Sequence, residues 1–180
     1  IGVRNLPLDN CQITGSSKMG LLMDRCSGRV ENCRISGAAE AGLRSNEASG
    51  LAITGNTVTD CANGGIWVHR WRAGEDGTIV SGNRVERIGA RYGGTGQFGN
   101  GINVFRAHGV MVANNRVADC AFSAIRSNAG SNVQIVGNSC LRSGETAIYS
   151  EFGFEGAVIA NNLVDGGTIG ISIANFLDGG

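Results

Sequence analysis

The stretch Asn114-Asn115-Arg116-Val117-Ala118-Asp119-Cys120-Ala121-Phe122-Ser123-Ala124-Ile125-Arg126-Ser127 returns one unit later as Gly137-Asn138-Ser139-Cys140, ending in Ala147-Ile148-Tyr149-Ser150, and that return decides the fold. Working outward, a small residue followed by an aliphatic recurs as Gly20-Leu21, Gly42-Leu43, Gly65-Ile66, Gly101-Ile102, Ala124-Ile125, Ala147-Ile148 and Gly170-Ile171. The steps between the aliphatics are 22, 23, 36, 23, 23 and 23 residues. A second signal keeps the same phase. An Asn precedes an aliphatic by two residues at Asn56/Val58, Asn83/Val85, Asn115/Val117 and Asn162/Val164, and Cys140 takes the aliphatic position after Asn138. The first two units carry looser versions, Asn10/Ile13 and Asn32/Ile35. Self-similarity at such a period is the mark of a solenoid.

Within each unit the apolar residues alternate over short runs, as in Ile66-Trp67-Val68, Val110-Met111-Val112, Val133-Gln134-Ile135 and Ile171-Ser172-Ile173. That is the period of a strand. Each unit therefore holds about three short strands separated by Gly, Asn and Ser turns. A leucine-rich repeat of similar length needs a Leu-x-x-Leu-x-Leu frame and a helical segment, and neither occurs. The sequence predicts an all-β fold, a single-stranded right-handed parallel β-helix of about seven coils of 22–23 residues, its hand set by the parallel crossover rule. At about 4.8 Å per coil the cylinder is roughly 34 Å long. Asn tolerates the left-handed backbone region and bonds neighbouring backbone, so Asn at one corner of every coil is expected to stack into an amide ladder.

Composition agrees. The chain has 180 residues with 30 Gly, one Pro and 6% aromatics, a turn-rich profile unlike that of a helical bundle. Nothing divides it compositionally, so 1–180 reads as one β-helix domain. Its two ends carry no recognisable cap over their strand edges, which is the expectation for a fragment of a longer protein. Fifteen basic residues balance fifteen acidic ones. No overall field then draws the protein to nucleic acid or to a membrane surface, and neither partner is expected. No apolar run approaches the roughly 18 residues of a spanning helix.

The six cysteines read as core packing. Cys61 and Cys120 share one repeat position, but a coil carrying Ile88 there separates them by about 9.6 Å, beyond a disulfide's reach. Cys11 and Cys33 occupy one position in adjacent coils, where a bridge is conceivable but poorly directed. With only His69 and His108, far apart in repeat phase, zinc has no ligand set, and Glu75 with Asp76 supplies too few oxygens for calcium. No metal is assigned. Glu75 and Asp76 read as a solvated turn and His108 as surface. The glycine pieces Gly94-Thr95-Gly96 and Gly99-Asn100-Gly101 are no dinucleotide fingerprint, since no helix follows them.

The step of 36 means that residues are inserted between two regular coils. Two segments share the excess, Arg70 to Thr78 after the Ile66 strand and Arg87 to Asn100 before the Ile102 strand. In stacked coils these loops are expected to rise on opposite sides of one sheet and wall a cleft. Alternation turns Ile66, Val68, Ile102, Val104, Ile125 and Ile148 inward, and Trp67, His69, Asn103, Phe105, Arg126, Asn128, Tyr149 and Glu151 outward onto the floor. Elsewhere the outward residues are blander, with Leu22, Asp24, Arg44 and Asn46 on one side and Ser172 and Ala174 on the other. Trp71, Tyr92 and Phe98 add aromatic surface in the loops. Aromatic faces beside Arg, Asn and acidic groups suit a polyhydroxylated chain. As binding residues we single out Trp67, Trp71, Tyr92, Asn103, Phe105 and Asn128. For chemistry, His69 is a candidate base, Glu151 an acid or base, Arg126 a carboxylate clamp and Tyr149 a proton donor. His69 and Glu151 are equally readable as ordinary solvated residues on a sheet face.

The units GNTVTDCANGGIWV, NNRVADCAFSAIRS and GNSCLRSGETAIYS resemble the repeats of the pectin-lyase-like superfamily, which includes pectate lyases, polygalacturonases and alginate epimerases. The resemblance covers nearly the whole chain. More narrowly, the tract GGTGQFGNGINVFRAHGVMVANNRVADCAFSAIRSNAG resembles an uncharacterised bacterial family exported by the twin-arginine route and described as a cofactor-binding repeat protein. That resemblance implies a periplasmic or secreted protein. The sequence departs from the enzyme families where chemistry resides: it has no aspartate cluster for calcium, no paired Asp of the polygalacturonase kind and no Asp-Pro-His motif. Catalytic residues therefore do not transfer. The reading that results is a protein that binds or processes an acidic polysaccharide or oligosaccharide, of lyase or epimerase type, in a cleft over coils three to six. The alternative is a non-catalytic repeat scaffold that binds an unknown cofactor or a protein partner.

Overall fold

The computed structural model describes residues 3–93 and 96–176. Among the described residues there are 21 strands and no helix. The strands sort into three seven-stranded sheets, and every neighbouring pair is parallel. The first sheet runs from Leu6–Asp9 to Ala157–Ala160, the second from Gln12–Thr14 to Leu163–Asp165, and the third from Leu21–Asp24 to Ile169–Ala174. Each coil gives one strand to each sheet, so there are seven coils, as the repeat predicts.

Register is what makes the core. Leu43, Ile66, Ile102, Ile125 and Ile148 are successive partners in the third sheet. All are fully buried, as are Val68 and Val104 two positions along. The inward half of the predicted alternation is therefore observed. The small residue before each aliphatic has a steric cause. A Cβ on Gly65 would press into the Gly101 carbonyl and the Val85 side chain, and one on Gly101 into Val117 and the Ala124 carbonyl.

The amide ladder forms, but not at the positions expected throughout. Asn56, Asn83, Asn115, Asn138 and Asn162 stack. Each of the first four donates its Nδ2 to the next Oδ1 at 3.0 Å. Each of those acceptor oxygens also takes the backbone N–H of the preceding Asn, at 2.9–3.0 Å. Every second Nδ2 proton goes to a carbonyl of the preceding coil, as from Asn115 to Val80 at 2.9 Å. Asn10 and Asn32 lie outside this ladder. They occupy the preceding corner, where positive φ is required and where Gly55, Gly82, Asn114, Gly137 and Asn161 sit in later coils. The ladder positions of the first two coils are held by Cys11 and Cys33, and Cys33 N–H caps the stack on Asn56 Oδ1 at 2.9 Å. The left-handed residue is thus the neighbour of the ladder Asn, and the Asn itself serves by hydrogen bonding.

Because Asn115 satisfies buried groups on both sides, Asn115→Ala orphans the amides of Asn83 and the Val80 carbonyl together. At about 1–3 kcal/mol for each buried group left unpaired, urea unfolding is expected to report at least about 3 kcal/mol of lost stability with an unchanged m-value. A loss below about 1 kcal/mol would show that the ladder is not a stabilising element.

Candidate functional site

The irregular step resolves into a bulge and a long turn. Strands Gly64–Glu75 and Asn100–His108 lie side by side, with Phe105 opposite His69 but Ala107 opposite Gly74, so residues 70–73 swell out of the ladder. The expected loop to Thr78 is corrected here: pairing with Ala107 and His108 restores the strand at Gly74 and Glu75. The bulge leans on coil two. Arg70 Nη2 pairs with Glu47 at 2.8 Å, Arg70 Nη1 donates to the Ala48 carbonyl at 3.1 Å, and Trp71 N–H donates to Glu47 Oε1 at 2.6 Å. The second insertion begins later than expected, because Arg87 and Ile88 belong to strand Arg84–Ile88. Tyr92 N–H donates to Asn63 Oδ1 at 2.8 Å, and the Gly96 carbonyl accepts from Asn100 Nδ2 at 2.7 Å and Arg126 Nη1 at 2.5 Å. Gly94 and Thr95 lie outside the described residues.

On the outer face of the third sheet, two columns run in register. One holds Arg44, Trp67, Asn103, Arg126 and Tyr149, and the other Asn46, His69, Phe105, Asn128 and Glu151. They point away from the helix interior as alternation requires, yet many are covered. Trp67 is 1% exposed, His69 4%, Asn103 2% and Glu151 2%. The reading of His69 and Glu151 as solvated residues is therefore overturned. The insertions bury part of the face that strand period alone leaves open.

These residues form two groups. In the first, Trp67 stacks on His69 with centroids 5.3 Å apart and planes at 6°, Phe98 tilts onto Trp67 at 6.3 Å, and Phe105 onto His69 at 5.6 Å. Asn103 Nδ2 lies 3.1 Å from His69 Nε2. An amide N–H only donates, which assigns the ring proton to Nδ1. Burial, and then the Arg44 charge, lower the His69 pKa to about 3, so its imidazole is neutral at physiological pH. In the second group Glu151 Oε1 accepts from Arg126 Nε at 2.6 Å, from Arg126 Nη2, and from Asn128 Nδ2 at 3.0 Å. The Arg126 guanidinium lies 5.5 Å from the Tyr149 ring centroid. Burial, followed by a hydrogen bond to Glu151, raises the Tyr149 pKa, so the phenol keeps its proton. His69 stands three strands from Tyr149 and Glu151, about 14 Å away at the spacing of a sheet. The four residues singled out for chemistry are thus not one constellation.

Gly96, Gln97, Phe98, Asn103, Phe105 and Asn128 line a depression of about 280 Å³. Asn103 Oδ1 is buried there without a hydrogen-bond partner among the described residues, as is Trp67 Nε1 nearby. Trp71 and Tyr92 stand out at 64% and 57% exposure.

Other expectations fare variously. His108 is half-buried, and its Nδ1 accepts the Ser131 N–H at 2.9 Å. Asp76 is no solvated turn: its side chain is fully buried, accepts the Thr78 hydroxyl at 2.5 Å, and has its pKa raised by burial. All six cysteines are free thiols, and Cys33, Cys61, Cys120 and Cys140 are buried. Sequence reasoning passed over the Gly96 carbonyl, which no side-chain pattern reveals. It also counted Arg44 among the blander outward residues, although its repeat phase is that of Trp67 and Arg126.

The family model described as the right handed beta helix region matches residues 2–85 and 71–176. No curated protein matches the chain. Among solved structures, a double mutant of the periplasmic alginate epimerase AlgG is similar with a TM-score of 0.62 at 13% identity, covering 97% of this chain and 47% of its own. The A-module of the mannuronan C-5 epimerase AlgE4 from Azotobacter vinelandii gives 0.65 at 12% identity, covering 95% and 58%. The enzymatically active domain of bacteriophage CBA120 tailspike protein 2 gives 0.59 at 16% identity, covering 90% and 23%. These likenesses are of fold, and the chain spans only part of each, from 23% of the tailspike domain to 58% of the AlgE4 A-module. Among the described residues no helix is long and apolar enough to cross a membrane.

The lowered His69 pKa has a sign. Between the unfolded value of 6.5 and about 3 the unfolded chain binds the extra proton, so stability contributed by neutral His69 is complete above 6.5 and lost as pH falls through that window. Urea midpoints at pH 7 and pH 5 are expected to differ more for the wild type than for His69→Gln. Equal differences would place the pH dependence elsewhere.

Proposed function

We propose that this chain, which belongs to the right-handed β-helix family, binds or processes an acidic polysaccharide across the outer face of the third sheet, in a cleft over coils three to six. The observation that carries the reading is the depression walled by Phe98 and Phe105 and lined by Asn103, whose buried Oδ1 has no hydrogen-bond partner among the described residues. A buried amide oxygen without a donor is costly, and a sugar hydroxyl is a donor of the right size. Exposed Trp71 and Tyr92 offer flat faces of the kind that CH-rich sugar surfaces cover.

Local charge supports an anionic polymer. Arg72 and Arg91 are exposed, and Arg106 is half-buried over the Phe105 ring at 4.8 Å. Among the described residues none of the three has a carboxylate within 4.0 Å. Such cations raise the local concentration of an anionic chain.

Binding is the activity that the geometry supports best. In a processing version, β-elimination or epimerisation at a uronate, Tyr149 is the proton donor and Glu151 the acid or base, since they are partners in adjacent columns beside Arg126. His69 is too distant to act on the same sugar carbon and serves the binding depression with Asn103. The AlgG and AlgE4 likenesses support a carbohydrate reading of this fold. The twin-arginine resemblance, together with the periplasmic description of AlgG, supports an exported protein.

Affinity electrophoresis through a polyuronate and through a neutral glucan tests the proposal. The wild type is expected to be retarded by the polyuronate, and Trp71→Ala and Tyr92→Ala each to weaken binding about five- to ten-fold. Ultraviolet absorbance of unsaturated product and proton spectra of the polymer report lyase and epimerase action respectively. Free migration of the wild type through every polymer would sink the proposal.

A further inference from the structure

Arg44 stands on strand Ala41–Asn46, in register between Leu22 and Trp67. Its guanidinium lies 5.7 Å from the centroid of Trp67 and 5.4 Å from that of Trp71. One indole belongs to the sheet and the other to the bulge of the first insertion, so the cation is gripped from two elements. Its Nε donates to Asn46 Oδ1 at 2.7 Å. Neither terminal nitrogen has a hydrogen bond or ion pair with any described residue. The acidic groups that act on it, Glu40 and Asp24, stand beyond 4.0 Å, and Asp24 is already paired with Arg25 at 3.2 Å.

Of the other covered arginines of this face, Arg126 and Arg70 are neutralised, and Arg106, over the Phe105 ring, has one terminal nitrogen committed to the Trp71 carbonyl at 3.2 Å. Arg126 is saturated by Glu151 and the Gly96 carbonyl, and Arg70 by Glu47 and the Ala48 carbonyl. A substrate carboxylate reaches Arg126 only by displacing Glu151 or opening the second insertion. At Arg44 it displaces water alone. A half-buried guanidinium without a counter-ion has lost hydration that no acid restores, and a bidentate carboxylate restores it best. The two indoles hold the fork in one orientation, which lowers the entropy lost when an anion docks.

The geometry points to Arg44 as the residue that recognises the uronate carboxylate, seated between Trp67 and Trp71 with both terminal nitrogens open. This assignment rests on the polysaccharide reading above. It extends the site by one coil, to coil two, and moves anion recognition away from Arg126. A sugar whose carboxylate meets Arg44 lies beside the solvent face of Trp71.

Titration calorimetry with a uronate oligosaccharide, a sulfated oligosaccharide and a neutral glucan, on wild type, Arg44→Gln and Arg44→Lys, tests it. Arg44→Gln is expected to weaken uronate binding about ten-fold or more and to flatten its salt dependence, leaving neutral glucan binding unchanged. Arg44→Lys, which keeps the charge and loses the fork, is expected to fall between. Urea midpoints matched to the wild type establish that the variants fold; should Arg44→Gln unfold, Arg44→Lys still reads the fork. Uronate binding that is strong in the wild type and undiminished in both variants overturns the Arg44 assignment alone. A stronger, Arg44-dependent grip on the sulfated ligand overturns the carboxylate in favour of sulfate. A wild type that binds none of the three overturns the proposed function, and the assignment with it.

Discussion

The structure depends on one constraint, that every coil returns to the same three strand positions and gives its backbone hydrogen bonds to the coils above and below. A solenoid has no distant contacts to correct an error of register, because each coil meets only its neighbours. A slip of one residue would turn Ile102 and Val104 outward and Asn103 and Phe105 inward. Two devices guard against it. The amide ladder ties each Asn to the ladder Asn of the adjacent coil and to no other residue of that corner, since its oxygen accepts both a backbone and a side-chain proton from the preceding coil. The glycines at 65 and 101 allow a backbone approach that a side chain would block.

That constraint explains why the fold was legible in the sequence. The aliphatics at 66, 102, 125 and 148 appear as a period because they are one stack in space, so the step between them is a direct measurement of coil length. Where the reading slipped, a local backbone requirement resembled the repeat signal. Asn10 and Asn32 answer the need for positive φ at a corner, while the ladder position beside them is cysteine. Asn serves both corners for different physical reasons, and composition alone does not separate them.

The site was legible only in part, and the limit is again physical. Alternation says which way a side chain leaves its strand, and it correctly sent Trp67, His69, Asn103 and Glu151 outward. It says nothing of what then covers them. Burial of these residues depends on how the bulge at residues 70–73 and the turn ending at Gly99 fold back. Those paths are set by long-range contacts such as Trp71 with Glu47 and Gly96 with Arg126. Asp76 was misread for the same reason, since its burial beneath Arg70 follows from the bulge.

Charge pairing across coils then separates residues that look alike in one dimension. Arg44 and Arg126 occupy the same column of the same sheet, and each lies against an aromatic ring. What distinguishes them is the second column. Beside Arg126, Asn128 and Glu151 close a hydrogen-bonded set in which the cation is already neutralised. Beside Arg44, Asn46 supplies a single neutral acceptor. An ion pair buried under an insertion fixes the insertion and has little charge left for a ligand. An arginine that meets only indoles and an amide keeps its whole charge for whatever anion approaches. On a repeating scaffold, the residue suited to recognition is therefore the one whose neighbours leave its charge unanswered.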